Sequence, residues 1–200
     1  AKIPQNGALT KALKDLTDCD FVRVYSAYGK ESNDKIYQLC DFYTLFYFRF
    51  LRDNLNADER YWTLTQDLPA RSVWAGYSFE QVCKDHLWQI RRALGINGTL
   101  TSISAWRGEY EGAGAQIDLL IGRRDRVIDV CEVKYSIGEF VIDKDYESRL
   151  RTKLSLFKAA TGTKSALQLV MITTYGVKSN KHSGIVSANV TMDHLFVAGE

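Results

Sequence analysis

The chain has 200 residues, of which 46% are hydrophobic and 25% charged, and a formal net charge of +2. That is an ordinary globular composition, with room for one sizeable core or a small module attached to a larger one. Near-neutrality excludes a strongly basic domain that holds nucleic acid by overall charge, so any electrostatic argument is local; no apolar run is long enough to cross a bilayer, and no signal-peptide pattern opens the chain.

Asn6 suits the N-cap of a short helix with Ala8, Leu9, Ala12, Leu13 and Leu16 at helical spacing and Lys11, Lys14 and Asp15 facing out. Strand-like patterns follow at 21–25 and 35–39, linked by turn chemistry over 27–34. A helix followed by a two-stranded wing is similar to the end of a winged-helix domain, in which Lys11 and Lys14 would touch phosphate; a solvated helix face explains two lysines equally well. Asp41 caps an aromatic segment at 42–51, hydrophobic nearly all round as a helix. It is expected to be a buried connector, with an assembly interface as the other reading. The chain begins at Ala1 in mid-pattern, without an initiator Met, and is expected to be part of something larger.

Residues 54–77 carry less signal, with a break at Leu68-Pro69-Ala70 and two tryptophans, Trp62 and Trp74, expected to pack. Ser78 then suits the N-cap of a helix whose stripe is Phe79, Val82, Cys83, His86, Leu87, Ile90 and Leu94, ended by Gly95. Glu80 would stand in its first turn, where the helix dipole alone favours an acid. His86 is expected to be a hydrogen-bonded core residue. Residues 99–107 alternate as a strand, 108–114 form a glycine-rich connection, and 115–135 read as a β-hairpin. Arg123, Arg124 and Arg126 sit at its tip, where three cations could reach a phosphate backbone. A helix at about 143–160 turns Tyr146, Leu150, Leu154 and Phe157 inward and Lys144, Arg149, Arg151, Lys153 and Lys158 outward. A doubly buried strand at 166–174, a basic loop, a strand at 185–190 and an apolar segment at 193–197 close the chain. This order predicts an α/β architecture, a mixed sheet flanked by helices. The four separated cysteines, Cys19, Cys40, Cys83 and Cys131, lack any CxxC and predict reduced packing residues of a cytoplasmic protein.

The hairpin carries the chemistry. Asp118 on its first strand and Glu132 and Lys134 on its second are expected, from a strand's period of two, to share a face. Carboxylates on otherwise buried strands need a partner or a cation, and these donors suit a hard divalent ion. A salt bridge from Lys134 to Asp118 or Glu132 is the competing explanation. Gln116 lies one side-chain step before Asp118 and can add a hydrogen bond.

Glu80 on a helix, Ile117-Asp118 on the second strand after it and Glu132-Val133-Lys134 on the third resemble the PD-(D/E)XK nuclease superfamily, with Ile117 in place of the motif's proline. The phrases Ile-Tyr-Gln-Leu-Cys-Asp-Phe-Tyr, Gly-Tyr-Ser-Phe-Glu, Gln-Ile-Asp-Leu-Leu-Ile, Cys-Glu-Val-Lys-Tyr and Ile-Thr-Thr-Tyr-Gly-Val resemble the C-terminal region of a group of prokaryotic AAA-type P-loop ATPases, over essentially the whole chain. The resemblance implies a partial winged helix and connector at 1–53, a restriction-endonuclease-like domain at 54–200, and an N-terminal ATPase module in the same polypeptide. No P-loop lies in this chain: Gly162-Thr163-Lys164-Ser165 lacks the spacing. The resemblance further implies Mg²⁺ or Mn²⁺ held by Asp118, Glu132 and Glu80, with Lys134 orienting or deprotonating the attacking water in hydrolysis of DNA. It equally allows a catalytically inactive DNA-binding, regulatory or assembly module, as a monomer or an oligomer.

Overall fold

The computed structural model describes residues 6–30, 35–53 and 58–197. Residues 31–34 of the expected linking turn and 54–57, next to the expected boundary, lie outside the described residues. The α1 helix (Gly7–Asp18) is capped by Asn6, whose side-chain oxygen accepts from the Leu9 amide at 2.9 Å, and it buries no residue. The strands β1 (Val22–Ala27) and β2 (Lys35–Leu39) pair antiparallel. They do not stand off as a wing. β1 also pairs in parallel, Ser26 with Ser104 and Ala27 with Ala105, with the strand β3 (Thr101–Tyr110), so the hairpin forms one edge of the main sheet.

The expected aromatic connector begins as α2 (Phe42–Phe46), capped by Asp41, and loosens into a π-helical turn at Tyr47–Leu51. Its burial is one-sided. Phe46 and Phe50 pack edge-on against Trp62 and Trp74 at centroid distances of 4.9–5.9 Å, whereas Tyr43 and Phe48 face solvent. After the single turn α3 (Tyr61–Leu64), the long helix α4 (Pro69–Asp85) begins earlier than Ser78. The Leu68-Pro69 break is a helix start: proline fits the first helical position because its missing N–H has no intrahelical partner there. Ser78 therefore lies inside α4, and Glu80 is well past the first turn. His86 separates α4 from α5 (Leu87–Ala93). Gly95, at φ +68°, closes α5, with the Ile96 amide bonded to the Arg91 carbonyl.

The expected connection at 108–114 is instead the far end of a long hairpin between β3 and β4 (Ala113–Arg123), turned at Glu111-Gly112 with positive φ at both positions. Gly108 is required inside β3, because a Cβ there would come within 2.6 Å of the Trp106 ring. β5 (Val127–Lys134) pairs antiparallel with β4. The helix α6 (Lys144–Thr161) is capped by Asp143 and ended by Gly162 in the left-handed conformation. β6 (Ala166–Thr173) and β7 (Ala188–Thr191) extend the sheet in parallel, and α7 (Met192–Leu195) follows. The result is a seven-stranded mixed sheet, in the order β2-β1-β3-β4-β5-β6-β7, with helices on its faces.

The core lies on both sides of that sheet. Phe79, Cys83 and Ile90 cover Leu119, Ile121, Cys131 and Ile172 on one side, and Phe157 covers Trp106, Leu120 and Val130 on the other. Burial of both faces explains the unbroken apolar run Leu119-Leu120-Ile121, each side chain stabilising the fold by about 1.5–3 kcal/mol. The cysteines are all free; Cys83 and Cys131 are buried as expected, but Cys19 is exposed at the end of α1. Among the described residues no helix is long and apolar enough to cross a membrane.

Candidate functional site

The β4 strand does not alternate cleanly through the expected site. Ser104 pairs with Leu120 but Trp106 with Ile117, so two residues of β4, Asp118 and Leu119, oppose the single Ala105. This is a β-bulge, which locally redirects side chains. Ile117 and Leu120 consequently serve the same core layer despite being three residues apart. The expectation that Asp118 and Glu132 share a face assumed unbroken alternation, and the bulge removes that assumption. Pairing of β4 with β5 runs from Gly122 and Ile128 to Leu119 and Cys131, so both acids lie one residue past its last pair.

Asp118 accepts a hydrogen bond from Gln116 at 2.5 Å, the contact expected from their spacing. Its charge is felt on α4. Burial, then the Asp118 charge, pushes the Glu80 carboxyl above its ordinary range. Glu80 makes no hydrogen bond or ion pair among the described residues. One helical turn on, Lys84 is pulled down by burial while Asp118 and Glu80 oppose that shift. Lys84 donates to Gln38 at 3.0 Å and lies over the Tyr25 ring, which joins the β1–β2 hairpin to this site.

Glu132 has a different set of neighbours. One oxygen accepts from the Tyr146 hydroxyl at 2.8 Å and lies 3.1 Å from the Lys134 ammonium; the other accepts from Lys153 at 2.6 Å. Burial alone would raise the Glu132 pKa, but Lys153, Lys134 and the Tyr146 hydrogen bond outweigh it and hold the carboxyl below its ordinary value. Burial and then Glu132 push Tyr146 up. The Glu132–Lys134 bridge is the ion pair that competes with metal ligation. Glu80 nonetheless senses the charges of both Lys134 and Glu132.

Among the described residues no three His, Cys, Asp or Glu side chains stand close enough together to hold a metal ion. Magnesium does not require such a cage, since one or two carboxylates with water and substrate phosphate suffice. Glu80, half-buried and without a hydrogen-bond or ion-pair partner, feels the charge of Asp118, and like-charged carboxylates are the state a cation relieves. Glu132 does not fit as a ligand in this arrangement, because its oxygens are taken by two ammonium groups and a phenol. Of the three expected ligands, Asp118 and Glu80 are thus the two without an ammonium on their oxygens.

The remaining candidates separate from this site. Arg123 is bonded to Asp125 at 3.1 Å and lies 3.8 Å from buried Asp129, while Arg124 and Arg126 are exposed on the turn. That turn is five to six residues from Asp118, roughly 17–20 Å along the strand. Lys11 and Lys14 pair along α1 with Asp15 and Asp18 at 2.7 and 2.8 Å, a solvated helix face. His86 is hydrogen-bonded as expected, its Nδ1 donating to the Val82 carbonyl at 2.8 Å, but it is half-buried at the end of α4 rather than in the core. Sequence reasoning missed Lys84 and Tyr146 and turned Lys153 outward. The signals were there: Lys84 is four residues after Glu80, and 146, 150, 153 and 157 form one stripe of α6.

No family model and no curated protein matches the chain. A crystal structure of a protein of unknown function, AF1548, has 14% sequence identity and a TM-score of 0.40; the match takes in 57% of this chain and spans 64% of the length of that one.

Proposed function

We propose that this chain is a metal-dependent phosphodiesterase domain of a larger P-loop ATPase, of the PD-(D/E)XK kind, acting on DNA. The observation that carries the reading is Glu80, a half-buried carboxylate without a partner, raised by burial and by the neighbouring charge of Asp118. Asp118 and Glu80 would hold Mg²⁺ or Mn²⁺. When bound, such an ion polarises the phosphate and acidifies a water molecule. Gln116 fixes the Asp118 carboxylate by its hydrogen bond. Glu132, kept ionised by Lys153 and Tyr146, pairs with the Lys134 ammonium, which would orient water or meet a phosphate oxygen.

The test is incubation of the chain with supercoiled and linear DNA in Mg²⁺ or Mn²⁺, beside Asp118→Asn and Lys134→Ala. Each substitution is expected to lower the cleavage rate by about a hundredfold or more, the effect of removing a transition-state contact. Cleavage that survives both changes overturns the reading. A module that binds DNA without cutting it is the second reading, favoured by the occupation of both Glu132 oxygens. Its signature is wild-type DNA binding with no cleavage in either metal.

A further inference from the structure

A groove of about 350 Å³ lies between the start of α4 and the segment that follows β5. Trp62, Trp74, Tyr135 and Ile137 line it, with Arg71 and Gln66. The phosphodiesterase reading uses none of them. Tyr135 and Trp62 are more than a third exposed, and Ile137 is 94% exposed at the rim, an unusual state for so large an apolar side chain. Inside the groove the Arg71 guanidinium lies over the Trp62 ring and donates from one terminal nitrogen to the Trp62 carbonyl at 3.2 Å. Its other terminal nitrogen, Nη1, is buried without a hydrogen-bond partner. A buried cationic donor left unpaired is costly, and an acceptor brought by a ligand would satisfy it.

The groove and the carboxylates share elements of the fold. Tyr135 directly follows Lys134, and its ring meets edge-on that of Phe79, the neighbour of Glu80, at 6.4 Å. Trp74 and Glu80 share α4, six residues or roughly 9 Å apart along its axis. Aromatic side chains beside the Arg71 guanidinium suit a planar heteroaromatic ring with a carbonyl acceptor. A paired duplex hides the faces of its bases, whereas a single strand offers them for stacking.

We propose that this groove takes an unstacked base of a single-stranded nucleic acid, with Arg71 donating to the base carbonyl and the backbone continuing toward Glu80 and Asp118. The direction of the strand rests on the phosphodiesterase reading of those carboxylates; the base site does not. The test is titration of fluorescein-labelled oligo(dT), oligo(U) and a duplex of equal length into the whole chain in EDTA, so that no hydrolysis is needed. Wild type is expected to bind single strands about tenfold more tightly than duplex and to show quenched tryptophan emission. Arg71→Gln and Tyr135→Ala should each weaken single-strand binding about tenfold, with duplex binding and the circular dichroism unchanged. The tighter of oligo(dT) and oligo(U) identifies the natural strand.

Equal affinity for single strand and duplex, or unchanged affinity in both folded variants, overturns the proposal. So does tryptophan quenching by an apolar peptide but by neither oligonucleotide. Failure of the phosphodiesterase reading would leave single-strand affinity in EDTA intact, and failure of the base site would leave metal-dependent cleavage intact, so the two are separable.

Discussion

Glu80 is where the chain gives up stability. Its folded-state pKa is raised, first by burial and then by Asp118, so the folded protein binds that proton more tightly than the unfolded chain does. For a carboxyl shifted this way, ionisation favours the unfolded state: stability falls as pH rises from the ordinary glutamate value through the raised one, and the loss is complete above it. Glu80→Gln should therefore raise the melting temperature at about pH 8, with the gain vanishing at about pH 4, where both states hold the proton. Calorimetry across that range is the measurement, and an unchanged melting temperature at the upper end would count against the placement of Glu80 beside Asp118. If the pair takes a cation, MgCl₂ should raise the melting temperature of wild type but not of Glu80→Gln, because a ligand stabilises only the state that binds it. Stability given up at a site of function is a recurring trade.

Between elements, the clearest junction is that of β5 with α6, where Glu132 meets Lys153 and Tyr146. Lys153→Met should destabilise the protein by about 2–3 kcal/mol, because it leaves a buried carboxylate short of a partner. At this chain length that is roughly a 5–10 °C drop in melting temperature. Glu132→Gln with Lys153→Met should recover at least half of it, since the buried carboxylate is then gone and Lys134, which loses its ion pair, is exposed enough to stay solvated. The depressed Glu132 pKa gives stability above the ordinary glutamate value that is lost as pH falls through the depressed one, so the defect of Lys153→Met should shrink in acid. A double variant no better than the single one would mean that Lys153 acts through packing of its aliphatic stem.

Much at this scale was legible from periodicity. The α6 helix and β6 fall within a residue or two of their expected limits, because a capped amphipathic stripe and an unbroken apolar run each leave a plain pattern. Two features left none. The bulge at Asp118-Leu119 falls in Ile117-Asp118-Leu119-Leu120-Ile121, where both faces are apolar and a shift of one residue changes nothing readable. The pairing of β1 with β3 joins segments about 78 positions apart in parallel, and no local signal encodes it. Pro69 was legible but ambiguous, as proline both breaks and begins helices.

For the whole molecule, the question is whether the first forty residues stand alone. Their ties run throughout the remainder of the structure. β1 pairs with β3, the Tyr28 amide donates to the Ala105 carbonyl at 2.8 Å, and the Tyr28 ring meets Phe157 edge-on at 5.0 Å. Arg23 bonds Gln81 at 3.1 Å and Asp85, and the Tyr77 hydroxyl donates to the Leu39 carbonyl at 3.3 Å. Gln81 is fully buried, so losing Arg23 would leave a buried acceptor unsatisfied as well as exposing the β3 edge. The chain is therefore expected to unfold in one calorimetric transition, and a fragment beginning at residue 42 to lose near-ultraviolet circular dichroism and aggregate. Two resolved transitions, or a folded monomeric fragment, would instead make the N-terminal segment a module of its own. The same cut would remove Tyr25 and Gln38 from around Lys84, so if the carboxylates take a cation, a fragment that folded should bind it more weakly than the intact chain.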